Sequence, residues 1–233
     1  MNNSLDNNMR VEDLKIKINT HSSIRISDGN LVFYIDPFKL EGRYSDADYI
    51  FVTHDHYDHL DPKSISNIRK DGTKYICPTS ISKKLISDCR IKDESLVTAV
   101  NVYDKKELCD GISFEVMPAY NIDKKFHQKE FSWVGYILSI KGVRYYIAGD
   151  TDNIKEIQDI KCDVALVPIG GTYTMTYDEA ASLINKIKPK IAIPTHYGSV
   201  VGEEILGKKF IEMINNDIIA KELIDFDTFR PVG

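Results

Sequence analysis

Residues 53–61 read THDHYDHLD and hold three of the chain's six histidines, His54, His56 and His59. Aspartates are interleaved with them at positions 55, 58 and 61. Imidazole nitrogens and carboxylate oxygens are the ligands that zinc and related divalent ions accept. A charged surface loop is the alternative interpretation, and the rest of the chain must decide between the two.

Ligand-type residues also follow three apolar segments that are predicted to be strands. These segments end at His54, Asp150 and His196. Strand ends at one edge of a sheet can converge on a single cleft, where rigid elements hold them in place. Gly149 would allow a sharp backbone turn just before Asp150. Because several motifs agree, a metal site is favoured over a charged loop.

The spacing within the histidine stretch indicates a strand end followed by a loop. On a continuing strand, His54, His56 and Asp58 would share one face and His59 would face away. In a loop, His54 and His56 can bind one ion while Asp58 and His59 turn towards a second. A pair of ions about 3.5–4 Å apart needs a bridging ligand, and the Asp150 carboxylate is the candidate.

The composition fits one globular domain. The chain has 233 residues, of which 42% are apolar, and this is enough to fill a core. No apolar run reaches the 18 residues that a membrane-spanning helix needs. The polar N-terminal segment lacks the apolar core of a signal peptide. We therefore expect a cytoplasmic protein with a single domain over residues 1–233 and its core at about residues 14–200.

Charge and cysteine content narrow the partners and cofactors. The net charge of −5 and a pI near 5.7 do not suggest a broad nucleic-acid-binding face. The four cysteines form no C-x-x-C pair, so neither a cysteine zinc site nor a disulfide framework is expected. The sequence leaves a homo-oligomer open.

The remaining pattern predicts alternating strands and helices. Asp61 and Pro62 form a helix start, and that helix should reach about Lys70. Thr176 and Glu179 form a capping box that opens another helix. Residues 217–229 allow no clear prediction. Further helices are expected over 80–87, 153–160 and 203–215, and strands over 14–18, 24–26, 31–35, 49–52, 96–102, 112–118, 133–140, 143–148, 162–169 and 191–195.

The motifs resemble those of the metallo-β-lactamase-fold superfamily. Residues 54–59 match its H-x-H-x-D-H signature. Residues 149–151, Gly-Asp-Thr, resemble its central aspartate motif, and residues 194–198, Pro-Thr-His-Tyr-Gly, resemble its last histidine motif. The three motifs have the order and separation found in the family, and the resemblance covers about residues 14–200.

One branch of this superfamily is particularly similar. Residues 21–23 together with 35–37, and the stretch 170–175, resemble the branch of small bacterial and archaeal metal-dependent hydrolases. That branch includes the ascorbate-6-phosphate lactonase-like proteins and the N-acylphosphatidylethanolamine phospholipase D type.

The resemblance implies the fold and the ligand set. The fold is α/β (α+β), a four-layer αβ/βα sandwich of two mixed β-sheets with helices outside. The cofactor is a pair of divalent ions, expected to be zinc, although manganese, iron and nickel accept the same donors. The implied ligands are His54 and His56 for the first ion, Asp58, His59 and His196 for the second, and Asp150 as the bridge.

The sequence departs from the family at one position. Members usually supply a further histidine to the first ion from the end of a mid-chain strand, but here that place holds Tyr120 or Asn121. His127 follows in a lysine-rich stretch. Either His127 completes the first ion's ligands, or Asn121 and water do so, and the number of bound ions stays open. The stretch can also act as a lid in which His127 donates a proton.

Two residues nearer the N-terminus have two interpretations each. His21 either orients a metal ligand through a hydrogen bond or is a satisfied histidine at a strand end. Asp36, which precedes Pro37, either orients a ligand or caps a turn.

The function expected from these features is metal-dependent hydrolysis. A divalent ion lowers the pKa of bound water towards about 7, so a metal-bound hydroxide, oriented by Asp58, would attack the substrate. His127 or a tyrosine would protonate the leaving group. A net positive charge at the ions favours a small anionic ester, lactone or phosphoester. The alternatives are a phosphodiesterase or nuclease of the same fold, and a non-catalytic metal-binding sensor. A di-iron redox protein is disfavoured because that branch usually has glutamate in place of His56.

Overall fold

The computed structural model describes residues 15–224, and its first sheet contains six strands in sequence order. The second strand pairs antiparallel with the first and with the third, and all later neighbours pair in parallel. The strands are β1 (Ile16–Thr20), β2 (Ser23–Ser27), β3 (Val32–Ile35), β4 (Ala47–Phe51), β5 (Arg69–Pro78) and β6 (Val97–Val100).

The second sheet contains seven strands and is also mixed. Its strands are β7 (Lys105–Cys109), β8 (Ile112–Pro118), β9 (Val134–Ile140), β10 (Val143–Ile147), β11 (Val164–Pro168), β12 (Ile191–Thr195) and β13 (Ile219–Ala220). They lie in the order β13-β12-β11-β10-β9-β8-β7. The strands from β10 to β13 pair in parallel, so their carboxyl ends share one edge.

The two sheets face each other across an aromatic core. The ring of Phe51 lies 5.4 Å from that of Phe114 and 5.1 Å from that of Tyr136. Side chains alternate along β4, so Ile50 belongs to a separate cluster on the outer face of the first sheet, together with Val52. Apolar residues on both faces of this strand explain its continuous apolar sequence.

Helices cover the outer faces. They are α1 (Pro62–Ile68), α2 (Ser82–Asp88), α3 (Tyr177–Ile187) and α4 (Ile205–Glu212). Ile65 and Leu85 place α1 and α2 in the outer cluster of the first sheet, while α3 contacts β11 and α4. The predicted sandwich of two mixed sheets with helices outside is confirmed. Within the described residues, no helix combines the length and apolar character that crossing a bilayer requires.

Several predicted boundaries were wrong. Helix α1 begins after the Asp61 cap, as expected, but it ends at Ile68 because Arg69 already has extended backbone and starts β5. The first half of β5 is polar and half-exposed, so no strand pattern marked it. Strand β7 is an edge strand with the polar sequence Lys-Lys-Glu-Leu-Cys and was also missed. The helix expected over 153–160 is only a 3-10 turn at Lys155–Ile157.

The ends of the chain lie outside the described part. Residue 14 of the first predicted strand, and residues 225–229 of the stretch without a prediction, belong to these ends. The extent of the domain over 1–233 therefore stays a prediction.

Candidate metal centre

The candidate site lies where strands of both sheets end. Strand β4 leads to His54, β10 to Asp150 and β12 to His196. Nε2 of His196 lies 2.9 Å from Oδ2 of Asp150, and Nε2 of His54 lies 3.9 Å from the same oxygen. The backbone N–H of His196 donates at 3.0 Å to the carbonyl of His21, which lies in the turn between β1 and β2. The structure thus brings the three strand ends to one cleft.

A first group of possible ligands consists of His54, His56 and His127, whose ligand atoms lie within 4.8 Å of one another. Nε2 of His54 is 3.2 Å from Nδ1 of His56. Asn121 lies behind His127: its Nδ2 donates to the carbonyls of Phe126 and Tyr173 and is 3.3 Å from Nδ1 of His127. Of the two candidates for the third position, the structure therefore brings His127 to the group.

A second group consists of His21, Asp58, His59 and His196, again within 4.8 Å. Oδ2 of Asp58 lies 3.7 Å from Nε2 of His59 and 3.8 Å from Nε2 of His196. His21 was not among the predicted metal ligands. Its Nε2 lies 3.0 Å from Oδ2 of Asp58, which agrees with the interpretation that it orients that carboxylate.

Asp150 lies between the two groups. Its Oδ1 is 3.3 Å from Nε2 of His59, and its Oδ2 is 3.2 Å from Nε2 of His127. The same Oδ2 contacts His196 as described above. This carboxylate therefore reaches histidines of both groups, which is the position that a bridging ligand requires.

Hydrogen bonds fix which ring nitrogens face the site. The Thr53 hydroxyl donates its one hydrogen to Oδ2 of Asp36 at 2.7 Å, so it must accept from Nδ1–H of His54 at 2.9 Å. His59 Nδ1 likewise lies 2.7 Å from Oδ2 of Asp36. In the neutral form of each ring the lone pair is then on Nε2, the nitrogen that faces the site and could bind a metal. Asp36 thus orients two histidines, as one of its two interpretations proposed.

Burial and charge set the protonation of these histidines. Burial, with His59 nearby, holds the pKa of His54 well below the ordinary value, so its ring is neutral. Burial alone would lower the pKa of His59, but Asp150 and Asp36 hold that pKa well above the ordinary value. The position of His59 therefore favours a positive charge.

The two carboxylates of the site stay ionised. Burial raises the pKa of Asp58, but the hydrogen bond from His21 lowers it to about 2. Burial also raises the pKa of Asp150, but His196 and His59 hold it well below the ordinary value. Two ionised carboxylates in a buried site favour a positive charge beside them, which a protonated histidine or a divalent ion can supply.

The site residues fit a divalent metal. Although they lie near one another, several buried ring nitrogens and a carboxylate oxygen here make no well-aligned hydrogen bond within the described residues. They include Nε2 of His59, His127 and His196 and Oδ1 of Asp150. Buried polar atoms are normally paired, and a bound divalent ion would give these atoms the partner that they lack. Nitrogen and oxygen donors suit zinc, manganese, iron and nickel.

The backbone at the site is held in an uncommon conformation. His21, Asp36, His127 and His196 have φ angles of 53°, 48°, 57° and 59°, in the left-handed region that non-glycine residues seldom occupy. Such residues concentrate at functional sites because the surrounding structure must enforce them. Gly149 has φ of 66°, so the turn expected before Asp150 is present.

Sequence reasoning missed the part played by Trp133, which was interpreted as a core residue. It is buried, but its ring lies 4.8 Å from the rings of both His54 and His56 and 5.3 Å from that of His127. It forms a wall of the first group. No sequence motif marks this position, because the contact arises only from the fold.

Known proteins share this fold and these motifs. The family model of the beta-lactamase superfamily domain matches residues 15–196. The UPF0173 metal-dependent hydrolase of Saccharolobus solfataricus is 32% identical over 211 residues, covering 84% of this chain and 89% of that protein. The UPF0173 metal-dependent hydrolase of Pyrococcus horikoshii is 32% identical over 201 residues, covering 80% and 85%.

Solved structures agree. A candidate metal-dependent hydrolase from Parabacteroides distasonis has a TM-score of 0.78 and 31% identity, covering 91% of this chain and 94% of that one. Igni18, a metallo hydrolase from Ignicoccus hospitalis, shares the fold with a TM-score of 0.74 at 22% identity, covering 91% and 95%. The chain therefore belongs to the UPF0173 metal-dependent hydrolase family of the metallo-β-lactamase superfamily.

Proposed function

We propose that this protein hydrolyses a small ester, lactone or phosphoester at a centre of two divalent ions, expected to be zinc. The observation that carries the proposal is the position of Asp150 between two groups of buried donors. His54, His56 and His127 would hold one ion. Asp58, His59 and His196 would hold the other, with Asp150 shared between them.

The chemistry divides between the cofactor and the chain. A divalent ion bound there would acidify a water ligand and polarise the oxygen of the scissile group. Asp58 is ionised and lines a cavity of about 390 Å³ together with Asp150 and His196. Its carboxylate would accept a hydrogen bond from the attacking water and orient it.

The leaving group needs a proton donor. His127 was expected either to bind metal or to donate a proton, and its contact with Asp150 and the first group supports the ligand role. Tyr173 lines the same cavity and would then donate the proton. Tyr197 is a poorer candidate because it is buried and its hydroxyl lies 3.0 Å from Oε1 of Glu222.

Metal content is the first test. Protein purified without added metal or chelator would be analysed by elemental mass spectrometry. About two ions per chain are expected. About one would reduce the proposal to a one-ion centre, and none after soaking in zinc and manganese would contradict it.

Turnover is the second test. A panel of aryl esters, lactones, phosphomonoesters and phosphodiesters would be assayed with and without chelator. Hydrolysis that chelation abolishes and zinc restores is the expected result. Cleavage restricted to phosphodiesters would support the phosphodiesterase instead. Tight metal binding without any hydrolysis would support a sensor.

Three more specific expectations from the sequence remain predictions. They are the placement in the ascorbate-6-phosphate lactonase-like and N-acylphosphatidylethanolamine phospholipase D-like branch, an anionic reacting centre in the substrate, and a cytoplasmic location.

A further inference from the structure

Two cavities meet at the candidate metal centre. One, the reaction lobe, has a volume of about 390 Å³, and the other, the second lobe, has about 620 Å³. His56, Phe126 and His127 line both. The Phe126 ring is 49% exposed and meets the Tyr173 ring edge-on at 4.9 Å. Phe126 therefore stands as a divider between the two lobes.

The reaction lobe is apolar wherever it is not built from possible metal ligands. Tyr57, Phe126, Tyr173 and Val200 form this part of its lining. Within residues 15–224, no lysine or arginine lines the lobe. These side chains offer apolar contact to the part of a substrate that extends away from the reacting atoms.

The second lobe combines an apolar wall with polar and charged residues. Ile81, Phe131 and Trp133 line it, and the rings of Phe131 and Trp133 are 4.9 Å apart. Its charged lining residues have mixed signs and do not select one charge. They are Asp55, which pairs with Lys84 at 2.8 Å, together with Lys125 and Glu130.

Exposed apolar side chains gather around these lobes. Tyr57 is 66% exposed, Phe131 43% and Val200 37%, and all three line one lobe or the other. A cluster of exposed apolar groups beside a polar centre is characteristic of a ligand site.

We propose that the substrate carries an apolar arm on each side of its reacting centre, one arm in each lobe, with Phe126 between them. The assignment of the reacting centre rests on the proposed function. The ions would attract the polar or anionic centre, while the aromatic lining would bind the arms.

A series of phosphodiesters tests the two arms separately without requiring turnover. The probes are dimethyl phosphate, butyl methyl phosphate and dibutyl phosphate, which share one anionic centre. Binding to the zinc-loaded full chain would be followed by the fluorescence of Trp133, the only tryptophan in the sequence. Each fully buried methylene strengthens binding roughly fourfold.

Each butyl arm is therefore expected to strengthen binding at least tenfold. Tyr57→Ala should remove the gain from one arm and Phe131→Ala the gain from the other. Phe126→Ala should weaken the binding of dibutyl phosphate more than that of the other two probes. Tyr44→Ala is the matched control, because Tyr44 is 53% exposed and lines neither lobe. Its affinity for each of the three probes should stay within twofold of that of the parent protein.

Other outcomes would overturn the inference. A second butyl arm that adds nothing would limit the substrate to one arm. Equal binding of all three probes, with zinc-dependent hydrolysis intact, would remove the inference and leave the proposed function standing. If each arm strengthens binding additively but no substrate in the panel is hydrolysed, the inference stands and the proposed function fails.

Discussion

At the scale of single residues, the histidines of this chain are gathered at one site. All six lie at the candidate centre: His21, His54, His56, His59, His127 and His196. The sequence marked most of them because the H-x-H-x-D-H motif and the strand ends are local patterns. The part played by His127 stayed open, since an approach from a loop depends on tertiary structure. The contact between His21 and Asp58 likewise joins residues far apart in the chain.

Asp36 should matter for metal affinity although it reaches no ion. The Thr53 N–H donates to Oδ1 of Asp36, while the Thr53 hydroxyl and Nδ1 of His59 both bond to Oδ2. Asp36→Asn replaces one of these two acceptors by an amide nitrogen, so the three bonds can no longer all form. Metal affinity should fall about 10- to 100-fold, measured by competition with a chromophoric chelator. Asp48→Asn is the control, because Asp48 pairs with Lys70 away from the site. Unchanged affinity in Asp36→Asn would show that Asp36 does not orient the histidines.

His127 should decide the number of ions. His127→Ala removes one of the three donors of the first group, so metal content should fall from about two ions per chain to about one. Gln128→Ala changes the exposed neighbour and should keep both ions. Elemental mass spectrometry of both variants would decide, and two ions in His127→Ala would return the third position to Asn121 and water.

At the scale of elements, prediction succeeded where the signal was a short-range contact. The capping box of α3 is present, with the Thr176 side chain accepting from the Glu179 N–H and the Glu179 carboxylate accepting in return. Most strands with apolar or alternating patterns were found. Strand β7 was missed because its exposed edge position leaves no hydrophobic period to detect. Strand β5 was missed although its last four residues are buried, because its first half is polar and mostly exposed.

The turn between β2 and β3 should give a pH-dependent contribution to stability. Burial raises the pKa of Asp28, but N–H donors of Leu31 and Asn30 and the ammonium of Lys141 bring it below the ordinary value. A lowered pKa means that the stabilisation is present above the unfolded-state value of about 3.9 and is lost as the pH falls through the folded-state value.

The comparison of Asp28→Asn with the parent isolates this charge. The difference in the free energy of unfolding should be largest near pH 7 and should shrink below about pH 4. Urea unfolding across this range would measure it. Asp110→Asn, at an exposed position in another hairpin turn, should show a smaller difference. A difference between parent and Asp28→Asn that is the same at pH 7 and pH 3 would rule out the charge as its cause.

At the scale of the whole molecule, the candidate centre joins the two sheets. The first sheet and the loop after β4 supply His54, His56, Asp58 and His59. The remaining proposed ligands follow strands of the second sheet. Hydrogen bonds also join the two halves at this edge, among them those from Val134 N to Thr53 O at 3.2 Å and from Tyr136 Oη to Val52 O at 2.8 Å. The fold could be predicted from motifs, but this linkage required the tertiary structure.

Metal removal should therefore lower the stability of the entire fold. Ions that bind only the folded chain stabilise it by about 2.7 kcal/mol when their free concentration is 100 times the dissociation constant. The melting temperature should rise with the logarithm of free zinc and drop on chelation. The double variant His54→Ala, His196→Ala removes a ligand from each sheet, so its melting temperature should respond weakly to zinc. If the parent melts at the same temperature with zinc and with chelator, the buried donors do not bind metal tightly in the folded chain. If the double variant responds as the parent does, the ion that stabilises the fold lies elsewhere.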